Sequence, residues 1–263
     1  MQLRVFQQRP GAAHRLFCLP YGGGGAAVYR DWPAHLPPTV EMWSVDLPGR
    51  DSAFNEPLVR DSAPLVADIA RALRPRLDRR YALFGHSLGA LLAFEATRLL
   101  QQQGAPLPSV LVASAHPAPH LPPRSAPIHD LPDAAFQQRI TELGGMPPGV
   151  TDDRELMDLY LPVLRADFAV AETHRWRPGT LLRVPIAAYG GADDKDVSHA
   201  ELAAWTCHTQ ERCTVRLFPG RHFYIHTALA DVLAALGADG ALGPGSGLPA
   251  LQPSRPGSPP CAD

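Results

Sequence analysis

Residues 82–94 read ALFGHSLGALLAF. An apolar run breaks for Gly85-His86-Ser87-Leu88-Gly89 and then resumes at once with helical spacing. This order of strand, small turn and helix constrains the fold more tightly than any other feature of the chain. A G-x-S-x-G turn presses the residues two before and two after the serine against each other, so both must be small. Its product is a nucleophile elbow, with the serine hydroxyl raised at the carboxyl end of a strand. The plainer reading is a tight turn with an incidental serine. The remaining sequence decides between the two.

The flanking pattern is that of a parallel sheet with crossover helices. Strands are expected at 14–20, 41–48, 81–85, 109–115, 184–190 and 214–220, several of them apolar throughout, as strands covered on both faces are. Leu65, Ile69, Leu73 and Leu77 recur every four residues after Ser62, which reads as an N-cap. Leu88, Leu91, Leu92, Ala96, Leu99 and Leu100 form a second stripe, ended by Gly104 and Pro106. From about 116 to 181 the pattern changes. A proline-rich stretch leads into helical patterns near 132–143 and 152–173, joined by GGMPPGV, with Pro162 expected to kink the second. An insertion this long between two strands reads as a helical lid. The expected organisation is one domain over 1–236 and a Gly/Pro/Ser-rich, disordered tail over 237–263.

Composition removes several functions. With 24 Lys+Arg against 26 Asp+Glu the chain has no basic excess for nucleic acid. No stretch is long and apolar enough for a membrane span, and the first residues lack the apolar core of a signal peptide, so a cytoplasmic location is expected. The four cysteines form no CxxC pair, and a reducing cytosol would keep them as thiols. Eleven histidines include no H-E-x-x-H, so neither metal nor cofactor is expected.

A serine nucleophile needs a base, and the base needs an orienting acid, in the chain order Ser, acid, His on this architecture. GGADDKDVS follows the strand at 184–190, offering Asp193, Asp194 and Asp196. GRHFYIH follows the strand at 214–220, with His222 as base and His226 as a competitor four residues on. An oxyanion hole is also required. The loop LPYGGGG after the first clear strand supplies an amide near Gly22, and the amide of Leu88 supplies the second. Neither G-K-[ST] nor GxGxxG spacing is present, so the loop is not read as a nucleotide site.

LPYGGGGAAVYRDW, VDLPGRDS, FGHSLGALLAFE, LPVLRADFAVAETH, YGGADDKDVSHAELAAW and LFPGRHFYIH, in this order from about residue 13 to 235, together resemble the type II thioesterases of polyketide and nonribosomal peptide synthases. The elbow alone marks only a serine hydrolase; the P-V-L-R-A-D-F and P-G-x-H-F runs are narrower. The resemblance implies an α/β-hydrolase fold with a lid, and hydrolysis of acyl groups from the phosphopantetheine arm of an acyl or peptidyl carrier protein. It implies Ser87 as nucleophile and His222 as base, and the family's G-x-x-D-x-x-V pattern, falling on Gly191, Asp194 and Val197, selects Asp194. Two positions depart from the family. Tyr21-Gly22 stands where an aromatic residue or histidine usually precedes alanine, and Arg221 stands where glycine usually precedes the histidine.

In the lid, Leu156, Tyr160 and Leu164 are expected either to wall an acyl channel, together with Tyr21 at the mouth, or simply to pack. Arg30, Arg50, Arg124 and Arg221 are candidates for docking an acidic carrier. A monomer is expected. The rival readings are a small-molecule serine esterase on the same fold and a non-catalytic carrier-binding protein.

Overall fold

In the computed structural model, which describes residues 1–144 and 153–243, the chain forms a seven-stranded sheet with helices on both faces. The strands are β1 (Gln2–Arg4), β2 (His14–Leu19), β3 (Val40–Asp46), β4 (Arg80–His86), β5 (Leu111–Ser114), β6 (Ile186–Gly191) and β7 (Cys213–Phe218), in the order β1-β3-β2-β4-β5-β6-β7. All pairs are parallel except β1 with β3. This is the α/β-hydrolase arrangement that the resemblance implies.

Side chains alternate across the sheet. Phe17, Leu83, Leu111 and Ile186 face one apolar layer, and Leu16, Phe84, Val112 and Tyr189 face the other. The first layer is completed by α1 (Ser62–Leu73), α2 (Leu88–Gln102) and the short α5 (His199–Ala203), the second by α7 (Leu229–Ala238) and the turns carrying Tyr29 and Trp32. Leu65, Ile69 and Leu73 bury one face of α1, each contributing about 1.5–3 kcal/mol. Two expectations for this helix fail. Asp61 is the N-cap, its carboxylate accepting the Ala63 amide at 2.9 Å, and Pro75 falls where the helix ends, leaving the buried Leu77 outside it. The short edge strand β1 has no apolar alternation and was not expected from the sequence.

The chain stays packed beyond Leu236. Asp239 is buried against Tyr189 and Arg216, at 2.7 Å from each, and Ala241 and Leu242 are buried too. Residues 244–263 of the expected tail lie outside the described residues, as does 145–150 of the GGMPPGV linker. Cys18 and Cys213 are free thiols whose pKa burial raises, and Cys261 lies outside the described residues. Among the described residues no helix is long and apolar enough to cross a membrane.

Between β5 and β6 lie α3 (Asp133–Leu143) and α4 (Arg154–Thr173), within two residues of the expected helices. Phe136, Ile140 and Leu164 form a small core of their own. The proline-rich lead-in is tied to α4. Glu172 accepts the amides of Ile128 and His129 at 3.0 Å, and Arg165 donates to the Leu131 carbonyl at 2.7 Å. α4 continues through Pro162.

Candidate active site

The carboxyl ends of β2, β4, β5, β6 and β7 converge, and every expected reactive group sits just beyond one of them. Ser87 follows β4 with φ 54° and ψ −119°, a conformation that costs energy for any residue with a Cβ. Two glycines make the turn possible. A Cβ on Gly85 would overlap the Gly89 carbonyl, and one on Gly89 would lie 2.7 Å from Leu19 C and Pro20 O. The first glycine is thus pressed on the second, as expected, while the second is pressed on the end of β2. The Ser87 amide donates to the Ser114 carbonyl at 2.7 Å, which ties the elbow to β5.

Asp194 and His222 meet. Nδ1 of His222 lies 2.9 Å from Asp194 Oδ2, and the carboxylate is fully buried. Asp194 Oδ1 accepts the amides of Asp196 at 2.8 Å and Val197 at 3.3 Å. Burial opposes the charge on Asp194, but the hydrogen bond and proximity of His222 with these two amides outweigh it and hold its pKa below the ordinary value. Asp193 and Asp196 are exposed. Among the described residues no hydrogen bond joins Ser87 Oγ to His222. The competitor His226 lies in α6 (Tyr224–Thr227), exposed, with its Nε2 3.2 Å from the Tyr21 hydroxyl and no acid bonded to it.

Beneath these residues is a buried polar chain that the sequence reading missed. Ser114 Oγ lies 2.8 Å from His86 Nδ1 and 2.5 Å from the Tyr224 hydroxyl. His86 packs edge-on against His222, with ring centroids 5.5 Å apart. Burial, then the neighbouring His222 and His226, push the His86 pKa well down, so it sits neutral under the site. Only its place inside the G-x-S-x-G run marked it.

The glycine loop expected to supply an oxyanion donor closes through Gly24 N–H to Tyr21 O at 2.9 Å, and Gly23 N–H donates to Asp167 Oδ2 at 2.7 Å. The amides of Gly22 and Leu88 have no acceptor among the described residues. Leu88 opens α2, where the amide has no helical partner and the helix dipole favours negative charge. Tyr21 packs edge-on against Phe223, His86 and His226.

The lid residues part company. Leu164 is 3 % exposed and so close to Gly23 that a Cβ there would overlap it. Tyr160 packs on the lid core, and its proximity adds to burial in raising the Tyr21 pKa. Leu156 is 40 % exposed and faces away from the lid core. Among the docking candidates, Arg50 is buried in an ion pair with Asp167 and cannot meet a partner, and Arg124 is paired with Glu201 at 2.7 Å. Arg30 and Arg221 are exposed.

Comparison with known proteins agrees with this geometry. The family model for the thioesterase domain matches residues 14–239. The chain is 38 % identical to thioesterase PikA5 of Streptomyces venezuelae, over 85 % of this chain and 80 % of that protein. It is 37 % identical to the linear gramicidin dehydrogenase LgrE of Brevibacillus parabrevis, over 84 % and 85 %. The solved structure of the type II thioesterase BorB from the borrelidin biosynthetic cluster superposes with a TM-score of 0.83 at 36 % identity, covering 90 % of this chain and 97 % of that one. A serine elbow, an acid–histidine pair and a helical insertion on a mostly parallel sheet, in a chain matched by the family model over residues 14–239, mean that this protein belongs to the thioesterase family.

Proposed function

We propose that this thioesterase hydrolyses acyl groups from the phosphopantetheine arm of an acyl or peptidyl carrier protein, editing or releasing chains in polyketide or nonribosomal peptide synthesis. The observation that carries the chemistry is the part-buried Asp194–His222 hydrogen bond in a chain whose serine is held at positive φ. In this reading Nε2 of His222 takes the Ser87 proton as Oγ attacks the thioester carbonyl. Asp194 keeps the Nδ1 proton in place and stabilises the imidazolium. The Gly22 and Leu88 amides donate to the developing oxyanion, an interaction whose loss costs roughly 3 kcal/mol per donor. His222 returns its proton to the departing pantetheine thiolate, giving the free thiol and an acyl-Ser87 ester. Water, deprotonated by the same imidazole, then attacks the ester, and His222 returns that proton to Ser87 Oγ as the carboxylic acid leaves. No cofactor enters these steps.

Every group named comes from one chain, so a single copy suffices and we assign a monomer. A carrier-protein substrate places the enzyme with its synthase in the cytoplasm. The carrier assignment is tested by comparing acyl-carrier protein, the matched acyl-pantetheine thioester and the matched oxygen ester. Higher kcat/KM on the thioester than on the ester, and higher again on the carrier, is the expected order; a preference for the oxygen ester would mean a small-molecule esterase.

A further inference from the structure

The lid helix holds the oxyanion loop by a buried charge pair. Asp167, on α4, is 3 % exposed. Its Oδ1 accepts from Arg50 at 2.8 Å, and its Oδ2 accepts from Arg50 at 2.5 Å and from the Gly23 amide at 2.7 Å. Arg50 also donates to the carbonyls of Gly24 at 3.1 Å and Pro48 at 3.2 Å. The pair therefore grips the loop on both sides of the Gly23–Gly24 peptide. One turn earlier Leu164 lies against Gly23, whose φ of +80° lets the loop pass beneath the helix.

The loop's amides divide accordingly. Gly24 N–H goes to Tyr21 O and Gly23 N–H to Asp167, leaving the Gly22 amide, among the described residues, as the one without an acceptor. A buried ion pair is a poor device for stability, since well-packed apolar residues in its place often do as well or better. Held at this spot, it determines instead which way the amides point.

We propose that Arg50 and Asp167 are positioning residues for the oxyanion hole, so that the lid helix takes part in the chemical step and does not merely cover the site. This rests on the assignment of Ser87 and the Gly22 amide made above. Lifting Asp167 off the loop frees the Gly23 amide, lets the 21–24 turn relax and moves the Gly22 donor. An ångström of displacement at a reacting centre costs about 100-fold in rate.

The test uses Asp167→Asn, Arg50→Met and the double variant Arg50→Met/Asp167→Leu, which leaves no unpaired buried charge if a single variant folds poorly. Each is assayed on p-nitrophenyl butyrate and on butyryl-pantetheine, with a urea unfolding curve and the affinity for butylboronic acid, a mimic of the tetrahedral adduct on serine. For the double variant we expect a near-normal unfolding midpoint, kcat lower by about 100-fold on both substrates, KM within about threefold, and boronate affinity falling in step with kcat. Asp133→Asn, which breaks the exposed Arg165–Asp133 pair elsewhere in the lid, is expected to leave kcat unchanged. A folded double variant with kcat within about threefold of wild type overturns the proposal, as does a loss of stability with kcat per folded molecule intact. The ester arm separates this outcome from the carrier assignment: if the wild type prefers the ester, that assignment fails while the kcat comparison still reads the oxyanion hole.

Discussion

Replacing Asp194 by asparagine should abolish turnover through proton placement alone. Oδ1 of Asp194 accepts two backbone amides, from Asp196 and Val197, and Oδ2 faces His222 Nδ1. Two N–H donors cannot face an NH₂ group, so they hold the asparagine carbonyl where Oδ1 was and turn the amide nitrogen toward His222. Nδ1 must then accept, the ring proton moves to Nε2, and the base arrives with its lone pair pointing the wrong way. Selection of the wrong tautomer costs about 10⁴-fold in kcat, or ~5.5 kcal/mol of transition-state stabilisation. The assay is thiol release from butyryl-pantetheine, with circular dichroism to confirm the fold and a fluorophosphonate to follow acylation of Ser87. Labelling should slow along with turnover, because both need the serine proton removed. Asp193→Asn and Asp196→Asn change exposed carboxylates without a bond to His222 and should stay within about twofold. The reasoning is refuted if folded Asp194→Asn keeps a tenth or more of wild-type kcat, or if Asp193→Asn is equally damaged.

Gly89→Ala should lose about 1–3 kcal/mol in urea unfolding, since its Cβ would press on the backbone of Leu19 and Pro20, and kcat should fall as the Leu88 amide moves; unchanged values would mean the elbow has slack. Burial, then the nearby His120, lowers the His208 pKa to about 4. Its neutral form therefore supports the fold fully above about pH 6.5, and that support fades as pH falls toward 4, by up to ~1.4 kcal/mol per pH unit. His208→Asn should flatten the dependence of unfolding free energy on pH between 7 and 5, and an identical slope would count against it. In the lid, Leu164→Ala should cost about 2–5 kcal/mol and shift activity toward longer acyl chains, whereas Leu156→Ala should stay within about 0.5 kcal/mol with the chain-length profile unchanged; a shift from the Leu156 change alone would reverse our orientation of α4.

The fold was legible because its strands are covered on both faces. Residues such as Phe17 and Cys18 are both buried, on opposite sides of the sheet, so the run reads as continuously apolar. Helix α1 was legible from its stripe, though not its ends. Asp61 and Ser62 are both good caps, and which one caps depends on where the chain enters from the loop before it. The edge strand β1 is three residues long and held by pairing with β3, so nothing in its side chains announced it. The reach of α7 and Asp239 past Leu236 was hidden for a related reason. GADGALG has the composition of a linker, and its order comes from Tyr189 and Arg216, distant in sequence, meeting the Asp239 carboxylate.

The site divides along the same line. Ser87 and His222 each stand just after a strand, and strand order narrowed the acid to Asp193, Asp194 or Asp196; only the G-x-x-D-x-x-V register of the resemblance selected Asp194, the one that meets His222. What lies between elements did not show. Arg50 was a docking candidate because it lies in a loop following a strand, and nothing in the sequence singled out Asp167. Their pairing spans 117 residues and depends on the angle at which α4 crosses the oxyanion loop. The four glycines at 22–25 recorded that crossing without revealing its cause. They were read as freedom for amides to face a ligand, and at Gly23 the structure adds a second demand, room for Leu164 of the lid. A glycine run beside an oxyanion hole is thus also evidence of something packed closely on it. In this chain that something is the helix bearing Asp167 and Leu164, which packs directly on the glycine loop.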